Sequence, residues 1–181
     1  KEERAQPSVK GFPDATLTIC PVVCSVTGPV EKHRNFVDRL KVKFREDAPG
    51  LAKYIGLLLE AKGYDTFKVA ECDLPAGATE RELNVTDFSA LVTGLHVKTD
   101  YALCTDYTFH LEKGIQNVYA VMMDPEGEVV WDADLGPGDS AFDENHPGTP
   151  HKCCELVCTL LAPVMALDAL PKKPVAEGVT E

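Results

Sequence analysis

The sequence predicts an α/β fold: a single domain with a mixed sheet of about five strands and flanking helices. Three observations predict it. An apolar run at 16–23, a helical stripe at 51–59 and an extended segment at 64–70 follow one another as a β-α-β unit, whose crossover should be right-handed and whose strands should be parallel. Tyr101 to His110 alternates for long enough to form a third strand. Val118 to Trp131 reads as an antiparallel hairpin, and an apolar helix closes the chain behind it.

The first strand is expected at Thr16–Val23, with Pro21 near its end and a turn signal at Ser25-Val-Thr-Gly-Pro29. The segment Glu31 to Arg45 changes from helical to alternating spacing through Phe36, Leu40, Val42 and Phe44, so its structure stays open and it reads as a solvated surface insertion. Asp47 followed by Ala48-Pro49 has the pattern of a helix N-cap with proline in the first turn. That helix should run to about Lys62. Its apolar stripe is Leu51, Tyr54, Ile55, Leu58 and Leu59, and Gly63 is its stop.

The second strand is expected at Tyr64–Ala70, and a loop with Pro75 and Gly77 leads to a short helix at Thr86–Thr93, capped by Thr86 and closed near Gly94. The third strand should place Tyr101, Leu103, Thr105, Tyr107 and Phe109 on one face. In the hairpin, Val118–Met123 is apolar on both faces, as in a strand covered on both sides. Asp124-Pro125-Glu126-Gly127 has the residue preferences of a type I turn, and Glu128–Trp131 returns. After a polar Gly/Pro loop to Pro150, the last helix is expected at His151–Leu167, with Val157, Leu160, Leu161, Val164 and Met165 inward and Pro163 kinking or shortening it. Residues 1–13 and 168–181, polar and proline-bearing, are expected as tails around one domain spanning 14–167.

With 181 residues, 44% of them apolar and 26% charged, the chain has ordinary globular composition. A formal net charge of -11 argues against a nucleic-acid partner, which needs clustered lysine and arginine. It also disfavours anionic lipid surfaces. One basic patch runs against this trend, at Lys32, His33, Arg34, Arg39, Lys41, Lys43 and Arg45. No apolar run approaches the roughly 20 residues of a membrane-spanning helix, so no transmembrane segment is expected. The chain starts at Lys1 and carries no signal-peptide core; an N-terminal piece is expected to have been removed, and removal by processing would imply export.

Three groups of residues could carry chemistry. Seven cysteines include Cys20-x3-Cys24 and Cys153-Cys154-x3-Cys158, which with His151 are the candidates for a metal or thiol-redox site. Against that, Cys154 and Cys158 line up with Leu161 and Met165, and Cys153 with Val157, Leu160 and Val164, as small apolar residues of a helix face would. The acids Asp132, Asp134, Asp139, Asp143 and Glu144 resemble hard-cation ligands in type, but their spacing breaks the order of an EF-hand, so a solvated loop is favoured. His146 and His151 stand near Cys153, from which a Cys-His-Asp nucleophile can be imagined. There is no Gly-x-Ser-x-Gly, no phosphate-binding glycine loop and no His-Glu-x-x-His. Neither a cofactor nor a metal is expected, and no catalytic residue is assigned.

The element order, with Thr16-Leu-Thr-Ile-Cys-Pro21 as opening strand, Ala52 to Gly63 as helix, Tyr101 to Thr108 as strand and Val121-Met-Met-Asp-Pro-Glu-Gly-Glu-Val-Val-Trp131 as hairpin, resembles the Rossmann-like domain of TolB N-termini and of CsgG- and LpoB-type envelope lipoproteins. The resemblance covers about two thirds of the chain. It implies a non-enzymatic, protein-binding accessory or scaffold subunit of a bacterial cell-envelope assembly, in the periplasm or envelope, whose partners are other proteins of a larger complex. The cysteines, the Glu31–Arg45 segment and the Gly136-Pro-Gly-Asp139 loop depart from that group. The alternatives are a cytoplasmic location and a metal-binding or thiol-redox protein that uses Cys20, Cys24, Cys153, Cys154 and Cys158. A hydrolase built on Cys153 or Cys154 with His151 is a third reading.

Overall fold

The computed structural model describes residues 15–64 and 66–165, apart from the side chain of Met165. The expected tails lie outside the described residues. Within them the chain forms one mixed α/β domain: β1 (Leu17–Thr27), a 3-10 turn (Val30–His33), α1 (Arg34–Ala61), β2 (Phe67–Val69), α2 (Val85–Leu95), β3 (Tyr101–His110), β4 (Gly114–Met123), β5 (Val129–Leu135), α3 (Ser140–Asn145) and α4 (Pro150–Met165). The sheet order is β2-β1-β3-β4-β5. β1 runs parallel to both β2 and β3, and β3-β4-β5 is an antiparallel meander.

Helices cover both faces. α1 and α4 pack with Leu17, Ile19, Leu103, Tyr107, Met122 and Trp131 in the larger core. On the other face α2 contributes Phe88 and Val92 to a smaller core with Cys20, Val23, Cys104 and Val121. Coverage of both faces explains why the Val118–Met123 strand is apolar on both sides.

β1 is longer than the sequence suggests. Pro21 sits in its middle and Ser25 to Thr27 continue the strand, so the turn falls at Gly28-Pro29. Opposite β3 the register shifts between Ile19↔Leu103 and Val22↔Thr105, three residues on β1 against two on β3. That extra residue is a β-bulge, and proline, with no N–H for the ladder, is accommodated at such a position.

α1 is also longer. It begins at Arg34 and runs unbroken through Pro49, so Asp47 is not an N-cap; it pairs instead with Lys43 one turn earlier at 3.0 Å. An internal proline costs a helix about 3 kcal/mol. Burial of Val37, Phe44 and Ala48 on the same stripe as Leu51, Ile55 and Leu59 offsets this, each large apolar side chain contributing about 1.5–3 kcal/mol. The helix ends as expected: Gly63 at φ 94° donates to Glu60 O at 2.9 Å and Tyr64 N to Leu59 O at 3.0 Å, a Schellman closure.

β2 shortens to three residues. α2 is capped by Asn84, not Thr86. Its side chain accepts from Asp87 N at 3.0 Å while Asp87 Oδ2 accepts from Asn84 N at 2.8 Å, a reciprocal capping box. The left-handed residue at its end is His96, φ 52°, so Gly94 stays helical. β3 keeps its expected bounds. In the hairpin turn, Gly127 N donates to Asp124 O at 2.9 Å, and Asp124 Oδ1 accepts from Glu126 N and Glu128 N at 3.0 Å. β5 runs on to Leu135, so Asp132 and Asp134 belong to a strand and not to a loop.

Candidate functional site

The bulge at Pro21 decides where the cysteines lie. Residues four apart on a regular strand share a face, but the extra residue turns the second half of β1 over. Cys24 therefore joins the α1/α4 core with Cys153, Cys154 and Cys158, while Cys20 joins the α2 core with Cys104. Cys20 and Cys24 do not meet. Half-buried Cys72 approaches the Cys20/Cys104 pair, and burial holds its thiol above the usual range. Cys104 is held well above it by its hydrogen bond with Cys20 and by burial.

In the larger core the thiols point at carbonyl oxygens. Cys153 donates to Pro147 O at 3.7 Å, Cys154 to Leu51 O at 3.9 Å and Cys158 to Ile55 O at 4.0 Å, so the last two seat α4 against α1. The Tyr107 hydroxyl donates to Cys154 Sγ at 3.3 Å. Burial pushes the Cys154 and Cys158 thiols up to about 12 and keeps Cys24 and Cys153 well above the usual range. A thiol held protonated is a poor nucleophile and a poor metal ligand. His151 is exposed and rests edge-on against Tyr54, ring centres 5.0 Å apart, rather than on a thiol. Tyr54 in turn donates to Glu155 Oε2 at 2.6 Å. No group of three or more His, Cys, Asp or Glu among the described residues is arranged to hold a metal ion.

Of the acids expected in a solvated loop, Asp143 and Glu144 lie on α3, and Asp139 and Asp143 are engaged with the backbone. Asp139 accepts from Gly136 N at 2.8 Å, and both Asp143 carboxylate oxygens lie 3.3 Å from Gly138 N. His146, at φ 46°, caps α3.

The residue that sequence reasoning missed is Asp106 on β3, 1% exposed on the α2 side of the sheet. Its Oδ1 accepts from Ser25 Oγ at 2.7 Å and its Oδ2 from Leu83 N at 2.6 Å. Burial outweighs both hydrogen bonds and lifts its carboxyl from the ordinary aspartate value to about 7. The 78–84 segment over it contains Thr79, fully buried at φ 68°, a strained conformation for a β-branched residue. Beside the same segment, where β2 stops and β1 goes on, a crevice of about 520 Å³ opens between Pro21, Arg45, Pro49, Cys72, Leu74 and Glu80.

The basic patch lies on the 3-10 turn and the first half of α1. Between residues 31 and 45 there are six lysines and arginines against two acids, in a chain of net charge -11. Lys41 and Arg45 pair with Glu80 at 2.7 and 2.8 Å, and Arg34 with Glu31. Phe36 and Val42, each 49% exposed, and Leu57, 62% exposed, lie with Arg39 and Lys43 on the outward arc of α1, roughly a third of the circumference at 3.6 residues per turn. No helix among the described residues is long and apolar enough to cross a membrane.

No protein-family model matches the chain, and no curated protein matches it significantly. Among solved structures it is similar to a neuraminyllactose-binding hemagglutinin homolog from Helicobacter pylori, with a TM-score of 0.37, 7% identity, and 93% of this chain and 94% of that one covered. It is likewise similar to a lipoprotein from Neisseria meningitidis, with a TM-score of 0.37, 15% identity, and coverage of 83% and 96%. Neither is described as a TolB, CsgG or LpoB-type protein, and likeness at this level carries no functional inference.

Proposed function

We propose that this domain is a non-catalytic protein-binding subunit, an accessory or scaffold component of a bacterial cell-envelope assembly, and that it binds through the outward face of α1. The observation that carries the reading is the alignment of Phe36, Val42 and Leu57 with Arg39 and Lys43 on one solvent-facing arc. Exposed apolar residues scattered singly are ordinary. Here three large ones share one helix face, and the charge around Phe36 and Val42 is opposite in sign to that of the whole chain. That combination suits an acidic partner segment with its own apolar residues: the apolar groups supply contact area, and the charges set orientation and exclude basic competitors. The envelope setting rests on the sequence resemblance alone.

Photo-crosslinking residues placed at Phe36, Val42 or Leu57 test this in envelope extracts. A single acidic protein should be captured from all three positions and lost in an Arg39→Glu, Lys43→Glu background that keeps the wild-type fold. Capture from Val85, on α2, should fail. Crosslinking from Val85 but not from α1 would move the interface elsewhere, and binding of the purified domain to anionic vesicles in place of any protein would overturn the reading. Elemental analysis of the same preparation addresses the metal alternative, since a stoichiometric bound metal would replace the scaffold reading with it.

A further inference from the structure

We propose that Asp106 and Ser25 form a proton-operated latch that holds the 79–84 segment on the sheet when Asp106 is protonated and loosens it when Asp106 is ionised. The geometry behind this is a shortage of hydrogen atoms. Ser25 Oγ lies 2.7 Å from Asp106 Oδ1 and 3.0 Å from the Arg81 carbonyl oxygen, yet a hydroxyl has one hydrogen to donate.

With the carboxyl protonated, every group is satisfied in sequence. Asp106 donates its proton to Ser25 Oγ, Ser25 donates to Arg81 O, and Leu83 N donates to Asp106 Oδ2 at 2.6 Å. Once the carboxyl is ionised, the serine hydrogen turns to the carboxylate and the Arg81 carbonyl loses that donor. A buried charge appears at the same moment, which favours any opening that lets water reach it.

The surroundings reinforce the protonated form. Glu82 on the segment and Asp87 on α2 both push the Asp106 carboxyl up, whereas the Arg81 guanidinium, the nearby cation, interacts with Asp106 but spends its two hydrogen bonds on Asp87, at 2.9 and 2.9 Å. From β1, the Cys24 thiol, raised first by burial and in part by Asp106, supplies no compensating positive charge. Burial then places the Asp106 transition at about 7. The segment stores strain at Thr79, and its backbone tie Val26 N to Thr79 O is long at 3.4 Å, so loosening relieves a conformation that the latch maintains. Ala78 and Glu80 line the crevice beside α1.

Hydrogen exchange and carbonyl shifts test the proposal in the whole chain. Asp106→Asn mimics the protonated carboxyl, its amide N–H donating to Ser25 and its oxygen accepting from Leu83. The Leu83 amide of the wild type, measured relative to Asp106→Asn at the same pH, should exchange about tenfold faster for each pH unit between 5 and 7 and then level off. The Arg81 carbonyl carbon should titrate in the wild type over the same range and not in the variant. A ratio that stays constant from pH 5 to 8, or an Arg81 carbonyl that ignores pH, would overturn the latch. Should Asp106→Asn fail to fold, Ser25→Ala serves, because it removes the Arg81 donor at every pH. Faster Leu83 exchange than wild type already at pH 5 supports the latch, and unchanged exchange rejects it.

Discussion

Cys20 and Cys24 stand four residues apart on one strand and face opposite sides of the sheet, because Pro21 between them is an extra residue in the ladder. The cysteine spacing that most resembles a metal motif is thus divided between two cores by a single bulge. Each half of the divided set packs as small apolar residues do.

This division sets the reactivity of the thiols. Of the seven cysteines, six are buried and Cys72 is half-buried. In native protein at pH 7, Cys72 should be the one thiol to react with an aromatic disulfide reagent, and slowly, since burial raises its pKa. Denaturant should release the full count. Two or more fast-reacting native thiols would contradict the packing described.

Asp106 makes stability depend on pH in an unusual direction. Its carboxyl is raised in the folded chain, to about 7, so its contribution is fully present below the unfolded value near 3.8 and is lost as pH rises through about 7. Stability should therefore fall between pH 4 and 7, at up to about 1.4 kcal/mol per unit from this group, and Asp106→Asn should flatten that slope. Urea midpoints at pH 5 and 7 for both proteins would measure it. A slope unchanged in Asp106→Asn would assign the pH dependence to other groups.

Cys154 has an acceptor role that alanine cannot fill. Cys154→Ala leaves the Tyr107 hydroxyl, at 0% exposure, without the partner it has at 3.3 Å, and opens a void between α1 and α4. An orphaned buried donor costs about 1–3 kcal/mol, with the void adding to it. Thermal unfolding should show the loss, whereas Thr159→Ala, on the solvent side of the same helix, should lie close to wild type.

The box that starts α2 should be worth about 1 kcal/mol. Asn84→Ala removes the side-chain oxygen that accepts from Asp87 N, and Asn84→Asp should preserve it. If both variants lose equal stability in chemical denaturation, the cap is not the cause.

Elements set by local chemistry were legible in the sequence. Tyr101–His110 alternates without interruption, Asp124-Pro-Glu-Gly127 can hardly do other than turn, and Gly63 ends a helix in a left-handed conformation that glycine takes at far less cost than other residues. What stayed hidden depends on partners distant in sequence. The first half of α1 reads as an insertion, since Pro49 imitates a helix start and its burial stripe shows only once Phe44 meets Phe109, ring centres 6.3 Å apart. Asp106 occupies a polar slot of an alternating strand, where solvent is the natural expectation; α2 and the 78–84 segment remove that solvent. The bulge at Pro21 leaves no periodic trace, so the separation of Cys20 from Cys24 had no signal to announce it.

The two faces of the sheet are unequal in a way that bears on how the protein would fail. The α2 side is sealed by Phe88, Val92, Leu83 and Ala78, far fewer residues than α1 and α4 bring to the other. Detaching that thin layer would leave β1, β3 and β4 paired while baring Val23, Ala102, Val121 and Met123 as one flat apolar strip. Two chains in that state would offer each other matching surfaces, so aggregation should start from the α2 face, with the larger core still intact.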